Sequence, residues 1–419
     1  MKFTEFCIDL CKRYASTNLV VRIVCGIVAG IIFAFLMPKF TWIGTFGALF
    51  VGALKAIAPI LVFILVISSL SLGSKKADGR FRTVIFFYLL STLLAAFAAV
   101  AVSYIFPQTL VLRTEDMAGQ TIPTSIGYVL SRLLVDMVAN PISSLTEGKY
   151  LGILFWAIIS GLALRNIASD STKTMLIDFA NCISKVVKWI IDIAPIGIMG
   201  LVFTTVSNHG LDIFTDYGKM VLALAGCMTF VFFILNPLIV FCALRTNPYP
   251  LIFKCFKDSG ITAFFTRSSA ANIPMNMALC EKLGLDKDMY SVSIPLGATI
   301  NMNGAAVTIT IMTLAAVHTL GIPVHIVTAL CLSILATLAA CGASGIAGGS
   351  LLLIPLACSL FGISNDIAIQ VVGVGFIIGV IQDSFETALN SASDVIFTAT
   401  SEFMQWKRQG KELPNISEL

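Results

Sequence analysis

A stripe of polar side chains interrupts the apolar stretch between residues 366 and 400. Steps of three and four residues place its members on one face of a helix. They are Asp383, Glu386, Thr387, Asn390 and Asp394. An unpaired carboxylate at membrane depth costs roughly 2.5–3.5 kcal/mol, so five polar groups there need several partners. We therefore predict a binding stripe that faces a cavity, in preference to a structural row of ion pairs.

A second interruption, Asn301-Met302-Asn303-Gly304, stands where a membrane helix would otherwise cross lipid. The two asparagines are two residues apart, so on a regular helix their side chains would point in different directions. A helix unwound at Asn303 and Gly304 would free backbone carbonyls, and oxygen ligands suit a hard cation such as Na⁺. The alternative is an asparagine pair that hydrogen-bonds to a neighbouring helix.

Two apolar segments, 249–281 and 322–361, carry small and polar residues in their middles. Lysines flank the first segment on both sides, which predicts a re-entrant hairpin that starts and finishes on the cytoplasmic side. Because successive spans alternate between the two sides of the membrane, the second segment is predicted to start and finish on the outer side, as an outer hairpin. Non-helical backbone at membrane depth persists only when it is buried in protein or lines a wet cavity. Both hairpin tips are therefore predicted to reach the binding site.

The composition requires a membrane protein. Of 419 residues, 57% are hydrophobic and 12% are charged, and the mean hydropathy is +0.93. A soluble domain is about 45–50% apolar and about 25% charged. The net charge of +4 is too small to indicate a nucleic-acid partner. The eleven cysteines show no paired spacing, and no organic cofactor is predicted.

Besides these two hairpin segments, eight apolar segments have at least the roughly 20 residues that a membrane span needs. They are 18–37, 42–72, 83–106, 125–168, 175–206, 217–245, 289–318 and 366–400. Basic residues cluster in alternate loops and after the last segment, so both termini are predicted to be cytoplasmic. Residues 1–17 are predicted to form an interfacial helix, and residues 401–419 a cytoplasmic tail.

Each hairpin precedes a helix with polar residues in its middle, and the two hairpins enter from opposite sides. This arrangement is an inverted repeat, the plan of secondary transporters, whose substrate and ion sites lie at the membrane midplane.

Three motifs carry a resemblance to a known family: TRSS at 266–269, PLGATINMNG at 295–304 and the polar helix at 383–394. Together they resemble the dicarboxylate/amino acid:cation symporters, the glutamate-transporter family, over at least residues 249–400. The resemblance implies an all-α polytopic membrane protein with eight transmembrane helices and two re-entrant helical hairpins. It also implies inverted repeats, an elevator-type mechanism, and a homotrimer among the lipids of the bacterial inner membrane.

The resemblance divides the chain into a scaffold and a transport part. The scaffold, which would also form the trimer, comprises residues 18–72 and 125–206. The transport part comprises residues 83–106 and 217–400, and it would slide against the scaffold with the substrate.

The resemblance also implies a substrate site. Asp383 and Thr387 would bind the substrate ammonium. Asn390 and Ser269 would bind its α-carboxylate. The resemblance implies seven further substrate contacts: Arg267, Ser268, Met302, Ala305, Ile346, Ser350 and Glu386. Arg267 and Ile346 would contribute their backbone carbonyls.

Na⁺ is the coupling ion that the resemblance implies. The first Na⁺ would be bound by Gly297, Asn301, Asn390 and Asp394. The second would be bound by Thr299, Met302, Ala340, Cys341 and Ala343. A third site in the family corresponds to Tyr88, Ser91, Thr92, Asn301 and Asn303. Because Asn303 stands where the family has aspartate, that site lacks a charge, and we predict one or two coupled ions.

Two departures from the family pattern concern the substrate. Glu386 stands where acidic-substrate members carry arginine, and a glutamate there would repel a dicarboxylate. Ala305 replaces a threonine that contacts the substrate carboxylate. Both departures therefore predict a small neutral amino acid as substrate. The resemblance implies that this is serine or threonine, imported by symport with Na⁺, and Glu386 could accept a hydrogen bond from the substrate hydroxyl. The resemblance also predicts that Arg267 pairs with Asp383 or Glu386.

Three alternatives compete with Na⁺ symport. One is a proton-coupled or exchange-type neutral amino acid transporter in which Glu386 carries the proton. Another is an intramembrane aspartyl hydrolase, but Asp383 and Asp394 are ~16 Å apart by helical rise, too far for a shared-proton pair. The last is a channel, which two gated hairpins disfavour. We predict a transporter and not an enzyme.

Overall fold

A computed structural model describes residues 17, 19–71, 79–112, 135, 137–211, 213–343 and 348–411. Within these residues every regular element is helical. Several predictions fall on other parts of the chain. The hairpin contact Ile346, residues 1–16 of the interfacial helix, residues 125–134 of the scaffold and residues 412–419 of the tail lie outside the described residues.

The helices of the first half are α1 (Leu19–Leu36), α2 (Ile43–Ser71), α3 (Gly79–Ile105), α4 (Pro141–Glu147), α5 (Tyr150–Ile167), α6 (Asp170–Asp192) and α7 (Ala194–His209). Those of the second half are α8 (Ile213–Phe230), α9 (Asn236–Leu244), α10 (Tyr249–Cys255), α11 (Ile261–Thr266), α12 (Ser269–Lys282), α13 (Lys287–Ile300), α14 (Asn303–Thr319), α15 (Ile326–Ala340), α16 (Ile354–Ser359) and α17 (Asn365–Arg408). π-Helical turns join α8 to α9 and α10 to α11, and a 3₁₀ turn, Ser350–Leu353, leads into α16.

Five helical segments of the described chain are long and apolar enough to cross a membrane. They are Ile43–Ser68, Arg80–Ile105, Thr215–Leu244, Lys287–Thr319 and Asn365–Arg408. A bent pair, Asp170–Asp192 with Ala194–Asn208, makes a sixth if it counts as one span. Four further apolar helices have 10–17 residues each. The protein is an integral membrane protein, whereas the count of eight spans stays a prediction.

The longest helix, α17, lies at the centre of the second half. The Ser364 hydroxyl caps its N-terminus by accepting the Ile367 N–H. Most side chains between Ile367 and Phe403 are buried on every face of the helix. Helices α8, α11, α12, α13, α14 and α16 all pack against it. A helix that is buried all round lies in the interior, so the polar stripe of α17 is enclosed by protein.

The helices of the first half pack mainly on one another. Helix α1 lies on α7, and α2 lies on α5, α6 and α7. Small residues permit the close crossing of α2 and α7: a Cβ at Gly200 would lie 2.5 Å from the Gly47 backbone nitrogen. Such close backbone approach is typical of membrane helix pairs. Helix α3, by contrast, packs on α14, α15 and α17 of the second half.

The break between α13 and α14 lies two residues earlier than predicted. Asn301 (φ −91°, ψ 79°) and Met302 (φ −119°, ψ 55°) are the non-helical residues. Asn303 and Gly304 already belong to α14, so the prediction that the helix unwinds there was wrong. Gly304 serves close approach instead, because a Cβ on it would lie 2.8 Å from the Glu386 Cα.

The inner hairpin reverses direction at Arg267 and Ser268. Arg267 has a left-handed backbone (φ 53°) and Ser268 an extended one, and the Ser268 hydroxyl then caps α12. Hydrogen bonds from Asn272 to Ser259, and from Ser259 to Asn276, join the two arms in antiparallel order. These hydrogen bonds pack the two arms side by side, whereas their re-entrant placement in the membrane stays a prediction.

Both asparagines of the second arm also bind α17. The Nδ2 atoms of Asn272 and Asn276 donate to the Ser391 hydroxyl at 2.8 and 3.0 Å. All of these side chains are buried. The Ser391 hydroxyl therefore accepts hydrogen bonds from two side chains of the inner hairpin's second arm.

Ser391→Ala is expected to destabilise the protein, because two buried amides each lose an acceptor. A buried group left unsatisfied costs roughly 1–3 kcal/mol. The measurement is the thermal unfolding midpoint in detergent. Ser384→Ala is the matched control, since the Ser384 hydroxyl only donates to Val380 O within its own helix. Equal midpoints for the two variants would contradict the role given to Ser391.

Candidate functional site

Asp383 on α17 contacts both hairpins. Its Oδ2 accepts a hydrogen bond from Arg267 Nε at 2.7 Å, and its Oδ1 accepts one from Gly348 N at 3.1 Å. The side chains of this ion pair are 8% and 3% exposed. The buried arginine therefore neutralises the carboxylate. Of the two partners predicted for Arg267, the structure places it on Asp383.

Gly348 requires its glycine because its backbone is left-handed, with φ +72°. A Cβ there would lie 3.0 Å from the Phe376 ring. The turn aims the Gly348 N–H at Asp383. Glycine-rich sequence in the outer hairpin thus brings backbone to the polar helix, as a binding tip requires.

Glu386, one turn further along α17, is buried and accepts three hydrogen bonds on Oε2. Thr308 Oγ1 of α14 donates at 2.7 Å and Ser350 Oγ donates at 2.8 Å. The third donor is Gln382 Nε2, four residues earlier on the same helix. Residues from α14, α17 and the outer hairpin therefore meet at one carboxylate oxygen.

Asn390 connects α17 to the break between α13 and α14. Its Oδ1 accepts the Gly304 N–H at 2.7 Å, and its Nδ2 lies 3.3 Å from Met302 Sδ. Its backbone carbonyl accepts a hydrogen bond from Asn301 Nδ2 at 3.2 Å. The side chain thus satisfies an N–H at the start of α14 that has no partner within the helix.

Asp394 lies beside the break with part of its hydrogen-bonding capacity unused. Asn301 Nδ2 donates to Asp394 Oδ1 at 2.8 Å. Asp394 Oδ2 and Asn301 Oδ1 are buried and have no hydrogen-bond partner among the described residues. A Cβ on Gly297 would lie 2.7 Å from Asp394 Oδ1 and 2.8 Å from Tyr88 Oη. These two buried, unpartnered oxygens could supply two of the several oxygen ligands that a hard cation takes.

The residues predicted for a third ion also come together. Thr92 Oγ1 is 3.2 Å from Asn303 Oδ1 and 2.8 Å from the Tyr88 carbonyl. Tyr88 Oη is 3.0 Å from Thr398 Oγ1. Ser91 Oγ and Asn303 Nδ2 are buried and lack a hydrogen-bond partner among the described residues. The group is neutral, and the side chain of Asn303 brings N–H donors as well as an acceptor.

The residues predicted for the second ion flank the end of α13. The Cys341 thiol lies 3.6 Å from the Ile300 carbonyl, so the first arm of the outer hairpin contacts α13 there. Thr299 Oγ1 donates to Leu296 O at 2.7 Å. Ala340 and Ala343 are buried. The structure therefore places the Cys341 side chain against the last residue of α13, next to the break.

The other predicted substrate contacts lie on α12, α14 and α17 or at the start of α12. Ser268 caps α12 by accepting the Ala271 N–H at 3.2 Å. Ser269, Ala305 and Thr387 are buried. Asp383 and Asp394 bind different partners, which accords with the argument against a shared-proton pair.

Thr308 and Gln382 are site residues that the sequence reasoning missed. A usable signal was present, because Gln382 stands four residues before Glu386 and Thr308 stands four after Gly304. Side chains at such spacings share a helix face. Both are polar residues in the middle of apolar segments, which indicates that they bind other polar groups.

A family model described as the sodium:dicarboxylate symporter family matches residues 19–403. The chain belongs to this family. It is accordingly a membrane transporter of the symporter class and not an enzyme. The predicted resemblance, which stood on three motifs of the second half, is confirmed over nearly the whole chain.

Curated relatives agree with the family match. A serine/threonine transporter of Bifidobacterium adolescentis is 59% identical over 401 residues, 96% of this chain and 93% of that protein. One of Streptococcus agalactiae serotype Ia is 59% identical over 391 residues, 93% of this chain and 97% of that protein. One of Streptococcus thermophilus is 55% identical over 401 residues, 95% of this chain and 100% of that protein.

Proposed function

We propose that this protein imports serine or threonine, or a similar small neutral amino acid, by symport with Na⁺. The observation that carries the proposal is Glu386, a carboxylate buried among the hydroxyls of Thr308 and Ser350 beside the Arg267–Asp383 pair. A negative group in that position disfavours a substrate with a side-chain carboxylate. The names of the relatives support the same substrate class.

The substrate ammonium is proposed to bind Asp383 and Thr387. Because Arg267 and Gly348 already hold both Asp383 oxygens, the ammonium either adds to these contacts or displaces the Gly348 N–H. The carbonyls of Arg267 and Ile346 are proposed to complete the ammonium site. Binding is thus coupled to the position of the outer hairpin.

The substrate α-carboxylate is proposed to bind near Ser269 and Asn390. Ser269 is the first residue of α12. Free N–H groups and the helix dipole favour an anion at such an N-terminus. Asn390 Nδ2, which contacts only the weak acceptor Met302 Sδ in the described residues, can turn to the carboxylate.

Na⁺ is proposed as the co-transported ion. Asp394 and Asn301 provide the two unpartnered oxygens of the first site, and the absence of a Cβ on Gly297 lets Asp394 and Tyr88 approach the backbone there. The second site is proposed at Thr299, Met302 and the outer hairpin. Because Asn303 carries no charge, we propose one or two coupled ions.

The architecture is proposed to be that of an elevator. Eight spans and two re-entrant hairpins would divide into a scaffold, formed by the first-half helices except α3, and a transport part formed by the others. The packing of α1 on α7 and of α3 on α14 supports this division. A homotrimer in the bacterial inner membrane with cytoplasmic termini completes the proposal.

Thermal unfolding with a panel of amino acids tests the substrate assignment. A ligand that binds the native state raises its stability in proportion to RT ln(1 + [L]/Kd). L-Serine and L-threonine are expected to raise the unfolding midpoint in Na⁺ but not in choline or K⁺ buffer. L-Aspartate at equal concentration is expected to have no effect. A midpoint raised by aspartate and unmoved by serine would refute the proposal.

A further inference from the structure

Three side-chain donors, which also bond to one another in part, converge on the oxygen Glu386 Oε2. Thr308, Ser350 and Gln382 all donate to it, and Gln382 Nε2 also donates to Thr308 Oγ1 at 2.7 Å. All four side chains are buried. The network joins α14 and the outer hairpin to α17.

The hydrogen positions in this network are determined by the donors present. The Gln382 amide has two N–H groups, and Thr308 Oγ1 and Glu386 Oε2 receive one each. The Thr308 hydroxyl accepts from Gln382, so its own hydrogen points to Glu386. The carboxylate therefore has a fixed plane, and Oε1 accepts no hydrogen bond from a described residue.

We propose that Thr308 and Gln382 are specificity-determining residues that act by positioning Glu386. They hold Oε2, so that Oε1 accepts the hydroxyl of a serine or threonine substrate. This inference rests on the proposed function, because it assigns the group that reads the substrate side chain. It predicts that both residues affect hydroxyl recognition more than general amino acid binding.

A purely structural role for the network is the alternative. Three donors also solvate a buried carboxylate, and their loss would then weaken the fold and all ligands equally. The two roles separate when serine is compared with alanine, which differs by the hydroxyl alone. A general loss of stability lowers both affinities, whereas loss of Glu386 positioning lowers only that for serine.

The test uses the full-length protein in Na⁺ buffer, with Kd values for L-serine and L-alanine from ligand-induced shifts in unfolding midpoint. Thr308→Val is isosteric and removes the donor, whereas Thr308→Ser keeps it. We expect Thr308→Val to lower the serine-to-alanine preference by about tenfold, while Thr308→Ser stays within about twofold of wild type. Gln382→Met removes the two amide donors of α17, and it is expected to lower the serine-to-alanine preference to a similar extent.

The outcomes are distinct. An unchanged serine-to-alanine preference in Thr308→Val and in Gln382→Met overturns the positioning role and leaves the proposed function intact. If Thr308→Val does not fold, Gln382→Met decides alone. Wild-type protein that binds neither amino acid in Na⁺ would refute the proposed function and the positioning role together.

Discussion

Asp394→Asn is expected to abolish Na⁺-dependent serine binding at physiological Na⁺ concentrations. Asp394 Oδ2 is buried without a hydrogen-bond partner among the described residues, and it is the charged ligand proposed for the first Na⁺. Removing one partner of a buried charge pair costs roughly 3–5 kcal/mol, which is more than about a hundredfold in affinity. The measurement is the Na⁺ concentration at half-maximal serine binding, which should rise by at least that factor.

The same variant supplies its own check against misfolding. In Na⁺-free buffer the asparagine removes an uncompensated buried charge and can donate to the unpartnered Asn301 Oδ1. We therefore expect its unfolding midpoint without Na⁺ to equal or exceed that of wild type. Asp366→Asn, in the first turn of the same helix, is the control and should leave the Na⁺ dependence unchanged. A normal Na⁺ dependence in Asp394→Asn would contradict the proposed ion site.

Glu386→Arg is expected to lower serine affinity by about a hundredfold or more and to admit L-aspartate. The donors Thr308, Ser350 and Gln382 would face a guanidinium that accepts no hydrogen bond. The positive charge would also favour a side-chain carboxylate, reversing the repulsion argued for the wild type. The magnitude corresponds to roughly 3–5 kcal/mol for an unpaired buried charge.

Competition of L-serine and L-aspartate for binding measures this change. Glu281→Arg applies the same charge reversal at an exposed position of α12 and should leave both affinities unchanged. Serine affinity equal to wild type in Glu386→Arg would show that Glu386 does not face the substrate. Glu386→Gln tests the proton-coupled alternative separately. If Glu386 carried the proton, this variant would lose uptake driven by a pH gradient.

The membrane class and the polar stripe of α17 were predictable from the sequence because each has a strong physical cause. Low charge content excludes a soluble surface, and carboxylates at 383 and 394 in an apolar run require protein partners. The lysines on both flanks of residues 249–281 predicted a hairpin, and the structure shows two packed helical arms there. Three motifs in the second half were specific enough to identify the family that matches residues 19–403.

The position of the helix break was mispredicted for a physical reason. Glycine has two uses, in backbone freedom and in close approach, and the sequence does not say which applies. Gly304 is helical and lets Glu386 approach, while Asn301 and Met302 carry the non-helical angles. A preference based on glycine alone therefore placed the break two residues too late.

The partners of the site carboxylates could not be derived from spacing either. Arg267 had two candidate partners, and the choice of Asp383 depends on how the hairpin tip packs on α17. The network from Thr308 and Gln382 to Glu386 joins two helices that are distant in sequence. Periodicity gives the face of one helix, whereas such contacts need the relative placement of two.

The central claim, Na⁺-coupled import of a small neutral amino acid, is tested most directly by uptake into proteoliposomes. Purified protein is reconstituted, and accumulation of labelled L-serine is followed with an inward Na⁺ gradient, with equal Na⁺ on both sides, and with choline. The account predicts accumulation above equilibrium only with the inward Na⁺ gradient. Uptake that is indifferent to Na⁺, or that a pH gradient drives in its absence, would contradict it.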